Sequence, residues 1–174
     1  DYATLTREAM DAEPFQCILD IDDDAFYAPE DMLEAIGDFC DRTDQRMPEK
    51  RGALVRSILE GVALRYRAVL GELEEIVGCE MPVIHMVGGG IQNELLCQMA
   101  ADATGRPVVA GPVEATAIGN LIMQAVGSGE LASVAEAREL VRRSVEPRHY
   151  EPSGGGRWDE VYERYENMVE GGLG

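Results

Sequence analysis

Three consecutive glycines, Gly88 to Gly90, are the residues of this chain whose type and spacing point most directly to chemistry. They follow a short β-branched and apolar run that ends at Val87, and a helical pattern begins directly after them. The sequence therefore predicts strand, glycine turn and helix over Pro82–Thr104. Such a turn presents free N–H groups and the positive end of a helix dipole, which together favour a phosphate. We predict a nucleotide-phosphate site at Gly88, Gly89 and Gly90.

A second interpretation of the same stretch is purely structural. The glycines can form a tight connection, and Asn93 can be the N-cap of a helix over Glu94–Thr104, with its side-chain oxygen accepting a backbone N–H. Spacing alone does not choose between the two interpretations. The two best-known phosphate loops do not match, because Asn93 stands where the Rossmann pattern has its third glycine and no Gly-Lys-Ser/Thr is present.

An acidic stretch is the next candidate for chemistry. Four carboxylates in five positions, Asp20–Asp24, suggest a calcium loop. The EF-hand positions that require glycine and glutamate hold Ala25 and Asp31 instead, so the loop signature fails. A solvated acidic loop is the favoured interpretation, and no metal site is assigned.

The thiols and imidazoles do not form a recognisable site in the sequence. The cysteines lack the close C-x-x-C spacing of zinc and redox sites and are too sparse for a disulfide scaffold, so buried thiols are predicted. They are Cys17, Cys40, Cys79 and Cys97. The two histidines, His85 and His149, are too few for a His-based metal cluster and are expected to be packed or solvated.

Composition and charge exclude several classes of partner. A net charge of −18 over 174 residues repels nucleic acid and anionic lipid, so neither is expected as a partner. The 45% hydrophobic and 28% charged residues are typical of one globular domain with a single core. No signal peptide or apolar run of membrane-spanning length is seen in the sequence, and a cytoplasmic location is expected.

The first half of the chain must supply the elements that support the glycine turn. A helix over Leu5–Ala12 ends before Pro14, and apolar alternation predicts a strand over Phe15–Ile21. A second helix is predicted to begin with Pro29 at its first helical position. Apolar steps of three and four over Glu49–Val77 predict a long amphipathic helix whose apolar face covers the sheet.

Two glycines inside that long helix, Gly61 and Gly71, predict a close neighbour at each position.

After the glycine turn, Gly105 is predicted to end the following helix in a left-handed conformation. A short buried strand follows over Val108–Ala110. A helix over Val113–Val126 carries a flat stripe of small residues at Ala115 and Gly119, along which two backbones can approach closely.

The last part of the chain returns to helix. Ser133 and Glu136 match a capping box and predict a helix to about Ser144. Prolines and glycines then indicate a loop, which is followed by a terminal helix over Trp158–Val169 and a fraying end from Gly171 to Gly174. The order of helices and strands is α/β, with too few strands for a complete nucleotide-binding enzyme.

A family resemblance is carried mainly by Val87–Asn120, VGGGIQNELLCQMAADATGRPVVAGPVEATAIGN. This stretch resembles the C-terminal domain of the FGGY carbohydrate kinases, and most closely the rhamnulokinase branch, for which Gly111–Thr116 is the more particular motif. The flanking segments that agree are Ile21–Phe26, Pro29–Met32, Glu60–Arg67, Glu136–Arg138 and Tyr150–Pro152.

The resemblance implies a ribonuclease-H-like, actin-type ATPase fold, two domains of which close over ATP and a sugar. It implies transfer of the γ-phosphoryl group of ATP to the 1-hydroxyl of L-rhamnulose, with Mg²⁺. By position within the family motif, Gly89 is an ATP contact with Gly88 and Gly90 as its neighbours. Asn93 matches the position near adenine, where an amide can both donate and accept.

The chain lacks other motifs of that family, namely its Asp-x-Gly-Thr phosphate motif, its second phosphate loop and its catalytic aspartate. We therefore assign no catalytic or metal-binding residue here and expect those groups, with the sugar site, in an N-terminal kinase domain. Residues 1–152 are expected to be a partial ATPase-like domain, and residues 153–174 a linker and terminal helix. The chain alone is predicted to be inactive. The alternatives are another FGGY kinase, acting on xylulose, fuculose or glycerol, or a nucleotide-binding fragment without activity.

Overall fold

A computed structural model of the chain describes residues 1–154 and 156–171. The described part contains seven α-helices and three strands of three residues each. The helices are α1 (Tyr2–Met10), α2 (Met32–Arg42), α3 (Arg51–Val77), α4 (Glu94–Thr104), α5 (Ala115–Gly127), α6 (Val134–Ser144) and α7 (Gly156–Gly171). The strands are β1 (Ile84–Met86), β2 (Val108–Ala110) and β3 (Arg148–Tyr150). Short 3₁₀ helices cover Asp24–Phe26 and Gly89–Gln92.

The three strands form one mixed sheet in the order β1-β2-β3. β1 and β2 are parallel, with Ile84 opposite Val108, and α4 makes the connection between them. β2 and β3 are antiparallel, with Val108 opposite Tyr150. One face of the sheet packs on α4, where Val108 is fully buried against Ala100 and Ala101. The predicted strand, glycine turn, helix and second strand are therefore confirmed.

The long helix α3 is confirmed, but its predicted packing is wrong. It packs mainly against α1 and α4 rather than directly on the sheet, and α4 lies against the sheet. Buried glycines permit two close approaches to α3. A Cβ on Gly52 would lie 2.5 Å from the Glu8 carbonyl oxygen of α1, and one on Gly61 would lie 2.7 Å from the Leu19 carbonyl oxygen in the segment before the acidic stretch. The predicted neighbour at Gly71 is absent among the described residues, where a Cβ would meet nothing within 4 Å.

The strand predicted over Phe15–Ile21 is wrong. The three residues from Cys17 to Leu19 are all buried in succession, and the backbone of the middle one pairs with a side chain instead of a neighbouring strand. The Ile18 N–H donates to Oε1 of Gln45 at 2.8 Å, and Nε2 of Gln45 donates to the Ile18 carbonyl oxygen at 2.8 Å. The Gln45 amide thus satisfies both the N–H and the C=O of Ile18. The pattern of apolar residues in the sequence does not reveal such a partner.

Two smaller predictions are also corrected. Helix α2 begins at Met32 rather than Pro29, because the carboxylate of Asp31 is the N-cap and accepts the N–H of Leu33 at 2.8 Å. Strand β3 lies in a stretch that the sequence predicts to be loop, since three residues between two prolines give almost no strand signal.

Helices α6 and α7 follow the prediction. Ser133 caps α6, accepting the Glu136 N–H at 3.2 Å. Helix α7 contributes Trp158, Val161 and Tyr165 to the same buried cluster as Leu64 of α3. The sequence predicts a fraying end over Gly171–Gly174, but Gly171 is the last residue of α7. Residues 172–174 of that end, and Gly155 in the predicted loop, lie outside the described residues.

Helix α5 differs from the other long helices because none of its residues is buried, although its sequence is strongly apolar. Leu121 is 66% exposed and Met123 is 58% exposed. The flat stripe predicted at Ala115 and Gly119 has no neighbour among the described residues, since a Cβ on Gly119 would meet nothing within 4 Å. Among the described residues, no helix is both long and apolar enough to span a membrane.

Candidate functional site

The glycine turn joins the carboxyl end of β1 to the amino end of α4. Gly88 has φ +86° and ψ −170°, a conformation that side chains rarely adopt, and this residue redirects the chain into the 3₁₀ helix Gly89–Gln92. The turn lies beside the end of β2, because the Gly88 N–H donates to the Pro112 carbonyl oxygen at 3.1 Å and the Gly111 N–H donates to the Met86 carbonyl oxygen at 2.9 Å. The carboxyl ends of the parallel strands β1 and β2 therefore lie side by side at the glycine turn.

Space and free donors are present on the outer side of this turn. A Cβ on Gly88, Gly89 or Gly90 would meet nothing within 4 Å. Among the described residues, no acceptor is paired with the N–H groups of Gly89 and Gly90, which begin the 3₁₀ helix. The Gly88 N–H is already used inside the protein, so two of the three glycine amides remain for an anion. Two adjacent free amides with open space before them fit a phosphate oxygen.

Asn93 lies at the end of the turn, and its side chain is held by the protein. Its Oδ1 accepts the Leu96 N–H at 3.1 Å, so it is the N-cap of α4, as the structural interpretation predicted. Its Nδ2 donates to the Tyr2 hydroxyl at 3.1 Å. Asn93 is only 3% exposed, whereas Tyr2 is 64% exposed. The structure therefore presents the Tyr2 ring, rather than the Asn93 amide, on the outside.

Arg148 on β3 fixes the far end of the turn, a role that the sequence did not reveal. Its Nη2 donates to the Ile91 carbonyl oxygen at 2.6 Å, and its Nη1 is paired with the carboxylate of Glu94 in the first turn of α4. A guanidinium can make both contacts at once because its donors form a rigid planar fork. No local sequence signal identifies this arginine, since the contact spans 57 positions of the chain.

A buried thiol lies behind the turn. Cys97 on α4 is fully buried, with its sulfur 3.8 Å from the Ile91 carbonyl oxygen. Burial raises the pKa of the Cys97 thiol, and the nearby Arg148 opposes this only in part. A thiol with a raised pKa stays neutral and unreactive near neutral pH. Cys97 therefore acts here as a packing residue.

The acidic stretch is used for local ion pairs and capping. Asp22 pairs with Arg65 at 2.5 Å and Asp23 pairs with Arg42 at 2.8 Å. Asp23 also accepts the Ala25 N–H at 3.0 Å. Within residues 1–154 and 156–171, no group of three or more histidine, cysteine or carboxylate side chains is placed to hold a metal ion.

One surface cavity lies well away from the glycine turn. It measures about 520 Å³ and is open to solvent, with Phe15, Lys50 and Arg157 among the residues that line it. No residue of the glycine turn contributes to it. The candidate phosphate site is therefore an open surface at the end of the sheet, and any wall that encloses a ligand there must come from outside the described residues.

Comparison with known families finds one match that covers most of the chain. Residues 1–128 match the model described as "FGGY family of carbohydrate kinases, C-terminal domain". A protein named rhamnulokinase from Bacteroides thetaiotaomicron is 45% identical over 168 residues, which cover 97% of this chain and 35% of that protein. The rhamnulokinase of Bacillus subtilis is 38% identical over 151 residues, covering 87% of this chain and 31% of that protein.

Two solved structures of similar fold are a xylulose kinase and a glycerol kinase. The xylulose kinase from Rhodospirillum rubrum has a TM-score of 0.65 at 20% identity, with 97% of this chain and 33% of that chain covered. The Plasmodium falciparum glycerol kinase with ADP also has a TM-score of 0.65, at 18% identity, with 99% of this chain and 33% of that chain covered. The chain thus spans about a third of the length of the relatives it matches.

Proposed function

Because this chain belongs to the FGGY family of carbohydrate kinases and matches its C-terminal domain, we propose that it is the nucleotide side of a rhamnulokinase. The complete enzyme transfers the γ-phosphoryl group of ATP to the 1-hydroxyl of L-rhamnulose. The observation that carries this proposal is the 45% identity to a named rhamnulokinase over 97% of the chain. The open glycine turn supports it independently, since it offers free amides where an anion fits.

In this proposal the chain binds and orients ATP. The N–H groups of Gly89 and Gly90 donate to phosphate oxygens, and the missing side chains leave room for the nucleotide. Gly88 shapes the turn through its positive φ. Asn93 contributes to the adenine side by holding Tyr2, whose exposed ring can pack on a flat base.

The metal-binding groups are proposed to lie outside this chain. Phosphoryl transfer would draw on a divalent metal, Mg²⁺, to neutralise the charge on the phosphate oxygens. Among the described residues no carboxylate cluster is placed to hold it. The Mg²⁺ ligands, the carboxylate that accepts the hydroxyl proton and the sugar site are therefore assigned to an N-terminal kinase domain.

Two surfaces of the chain support such a partner domain. Parallel strands are normally covered on both faces, yet the face of the sheet opposite α4 carries the exposed side chains of His85 and His149, in register with Val109. The apolar helix α5 also has no buried residue. Within the described residues the sheet face has no cover, and α5 contacts mainly α6 without becoming buried. The unmatched part of the relatives is about twice as long as the part that this chain matches.

The substrate assignment is tested with the full-length enzyme on a panel of sugars. We expect kcat/KM for L-rhamnulose to exceed that for xylulose, fuculose and glycerol by at least about tenfold, equivalent to about 1.4 kcal/mol. Equal or better activity on one of the other three would replace rhamnulose with that substrate. The chain on its own should show no turnover with any of them, because positioning and proton transfer require groups outside it.

The nucleotide site is tested with Gly89→Val in the full-length enzyme. A Cβ at Gly89 meets no protein atom within 4 Å, so the variant should fold normally and lose ATP affinity by at least about tenfold. Gly71→Val is the matched control, since Gly71 is equally open and lies on α3 away from the turn. Sugar binding should be unchanged in both. An unaltered ATP affinity in folded Gly89→Val would remove the turn from the nucleotide site.

A further inference from the structure

Two buried cysteines from distant parts of the chain lie in contact. The sulfur atoms of Cys17 and Cys40 are 3.3 Å apart, and the two residues are 1% and 0% exposed. Cys17 lies in the irregular segment before the acidic stretch, and Cys40 is near the end of α2. They belong to one apolar cluster with Leu19, Ile36 and Phe39 among its members. This contact is separate from the glycine turn and from the ATP chemistry assigned to it.

The surroundings of the pair favour a bond between these two sulfurs over a bond from either sulfur to another cysteine or to a dissolved reagent. Gln45 anchors the backbone of Ile18, the residue next to Cys17, and so fixes the segment against α2. Cys97 belongs to a different buried cluster, and Cys79 is exposed. A second thiol in contact traps an oxidised sulfur faster than a dissolved reagent does, since its effective concentration is very high.

We propose that Cys17 and Cys40 form a redox-modifiable pair, which an oxidant of the peroxide class converts to an intramolecular disulfide. In the first step one thiol gives up its proton, and the thiolate attacks a peroxide oxygen as the O–O bond breaks. The released hydroxide takes up a proton and leaves as water, and a sulfenic acid is formed. In the second step the other thiol attacks that sulfur, the S–S bond forms and the second water leaves. Two thiols lose two hydrogens and two electrons in total, and one hydrogen peroxide is reduced to two waters.

The reaction should be slow compared with that of an exposed thiol. Burial raises the pKa of both the Cys17 and the Cys40 thiol, so little thiolate is present in the closed structure. Oxidation must therefore follow a local opening of the segment around Cys17. Gln45→Ala removes the contacts that hold this segment, and it should accelerate disulfide formation severalfold.

The experiment is peptide mass mapping of the full-length protein after exposure to hydrogen peroxide. Trypsin cuts after Arg7 and Arg42, so one peptide, Glu8–Arg42, contains both cysteines and no other. The protein is denatured, alkylated and digested without reductant. The expected product is the Glu8–Arg42 peptide without alkyl groups and lighter by two hydrogens, and reduction before alkylation should restore two alkyl groups.

The controls make the outcome unambiguous. Cys79, which is exposed, reports that the oxidant was active, and its modification should precede the change in the Glu8–Arg42 peptide. Cys40→Ser should leave Cys17 free for alkylation or carrying an over-oxidised sulfur, without the loss of two hydrogens from an S–S bond. Two results would overturn the proposed disulfide. In one, the wild-type peptide still carries two alkyl groups long after Cys79 has been consumed; in the other, it carries sulfinic acid at Cys17 or Cys40 instead of the disulfide.

Discussion

Alanine substitution at two glycines of α3 tests the packing of this helix with a built-in control. Gly61 is buried, and a Cβ there would lie 2.7 Å from the Leu19 carbonyl oxygen and 3.0 Å from Cγ2 of Ile21. Gly71 lies ten positions further along the same helix, and a Cβ there would meet nothing within 4 Å. Both substitutions gain about 1 kcal/mol of helix propensity. The gain cancels in the comparison, which isolates the cost of the clash.

The expected difference is the cost of overpacking a closely packed backbone, about 1–3 kcal/mol. For a chain of this size that corresponds to a thermal midpoint roughly 2–12 °C lower for Gly61→Ala than for Gly71→Ala. Gly71→Ala itself should be more stable than the wild type. Circular dichroism melts and urea unfolding of the two variants measure the difference. Equal midpoints would show that the segment around Leu19 does not approach α3 as the structure describes.

Three further predictions concern polar groups that hold the fold. Gln45→Ala should lower the free energy of unfolding by about 2 kcal/mol in urea titrations, because it leaves the buried N–H and C=O of Ile18 without partners; a neutral result would contradict the pairing. Asn93→Ala removes the N-cap and should lower the free energy of unfolding by about 1 kcal/mol, whereas Asn93→Asp should retain most of that stability because aspartate also caps helices. Equal losses for the two variants in thermal melts would exclude the capping role. Burial raises the pKa of the Glu60 carboxyl above its ordinary value, so the native state binds the proton more tightly and stability is lost as pH rises through the folded-state pKa. Glu60→Gln should remove this decline from pH 4.5 upward in urea unfolding, and unchanged slopes would argue against it.

The elements around the glycine turn were predictable because their signals are local. A β-branched run, a glycine turn and a helix ended by Gly105 each depend on neighbours within a few positions, and the capping box at Ser133 does as well. The family resemblance carried by Val87–Asn120 is confirmed by the family match, and the fold is that of the C-terminal actin-type ATPase domain of sugar kinases.

The larger errors involve partners that are distant in sequence, whereas the start of α2 is set locally by Asp31. The buried stretch around Ile18 has a strand pattern, but its backbone partner is a glutamine side chain 27 positions away. Arg148 reaches the turn from β3, which has too few residues to signal a strand. The occupied amide of Gly88 and the buried Asn93 likewise follow from contacts with Pro112 and Tyr2, and no local spacing rule contains them.

The chain spans about a third of its relatives' length, and the surfaces that it leaves open indicate what the remainder would supply at the proposed phosphate turn. The free amides of Gly89 and Gly90 face open space, and a phosphate held there would be exchanged with water unless a second wall closed over it. On another surface, Leu121 and Met123 of α5 are more than half exposed, and burying the exposed part of each would gain about 1–2 kcal/mol. We propose that one N-terminal domain meets both needs. The same contact that closes the nucleotide site then also stabilises α5, so the chain should unfold at lower urea concentration alone than within the full-length enzyme.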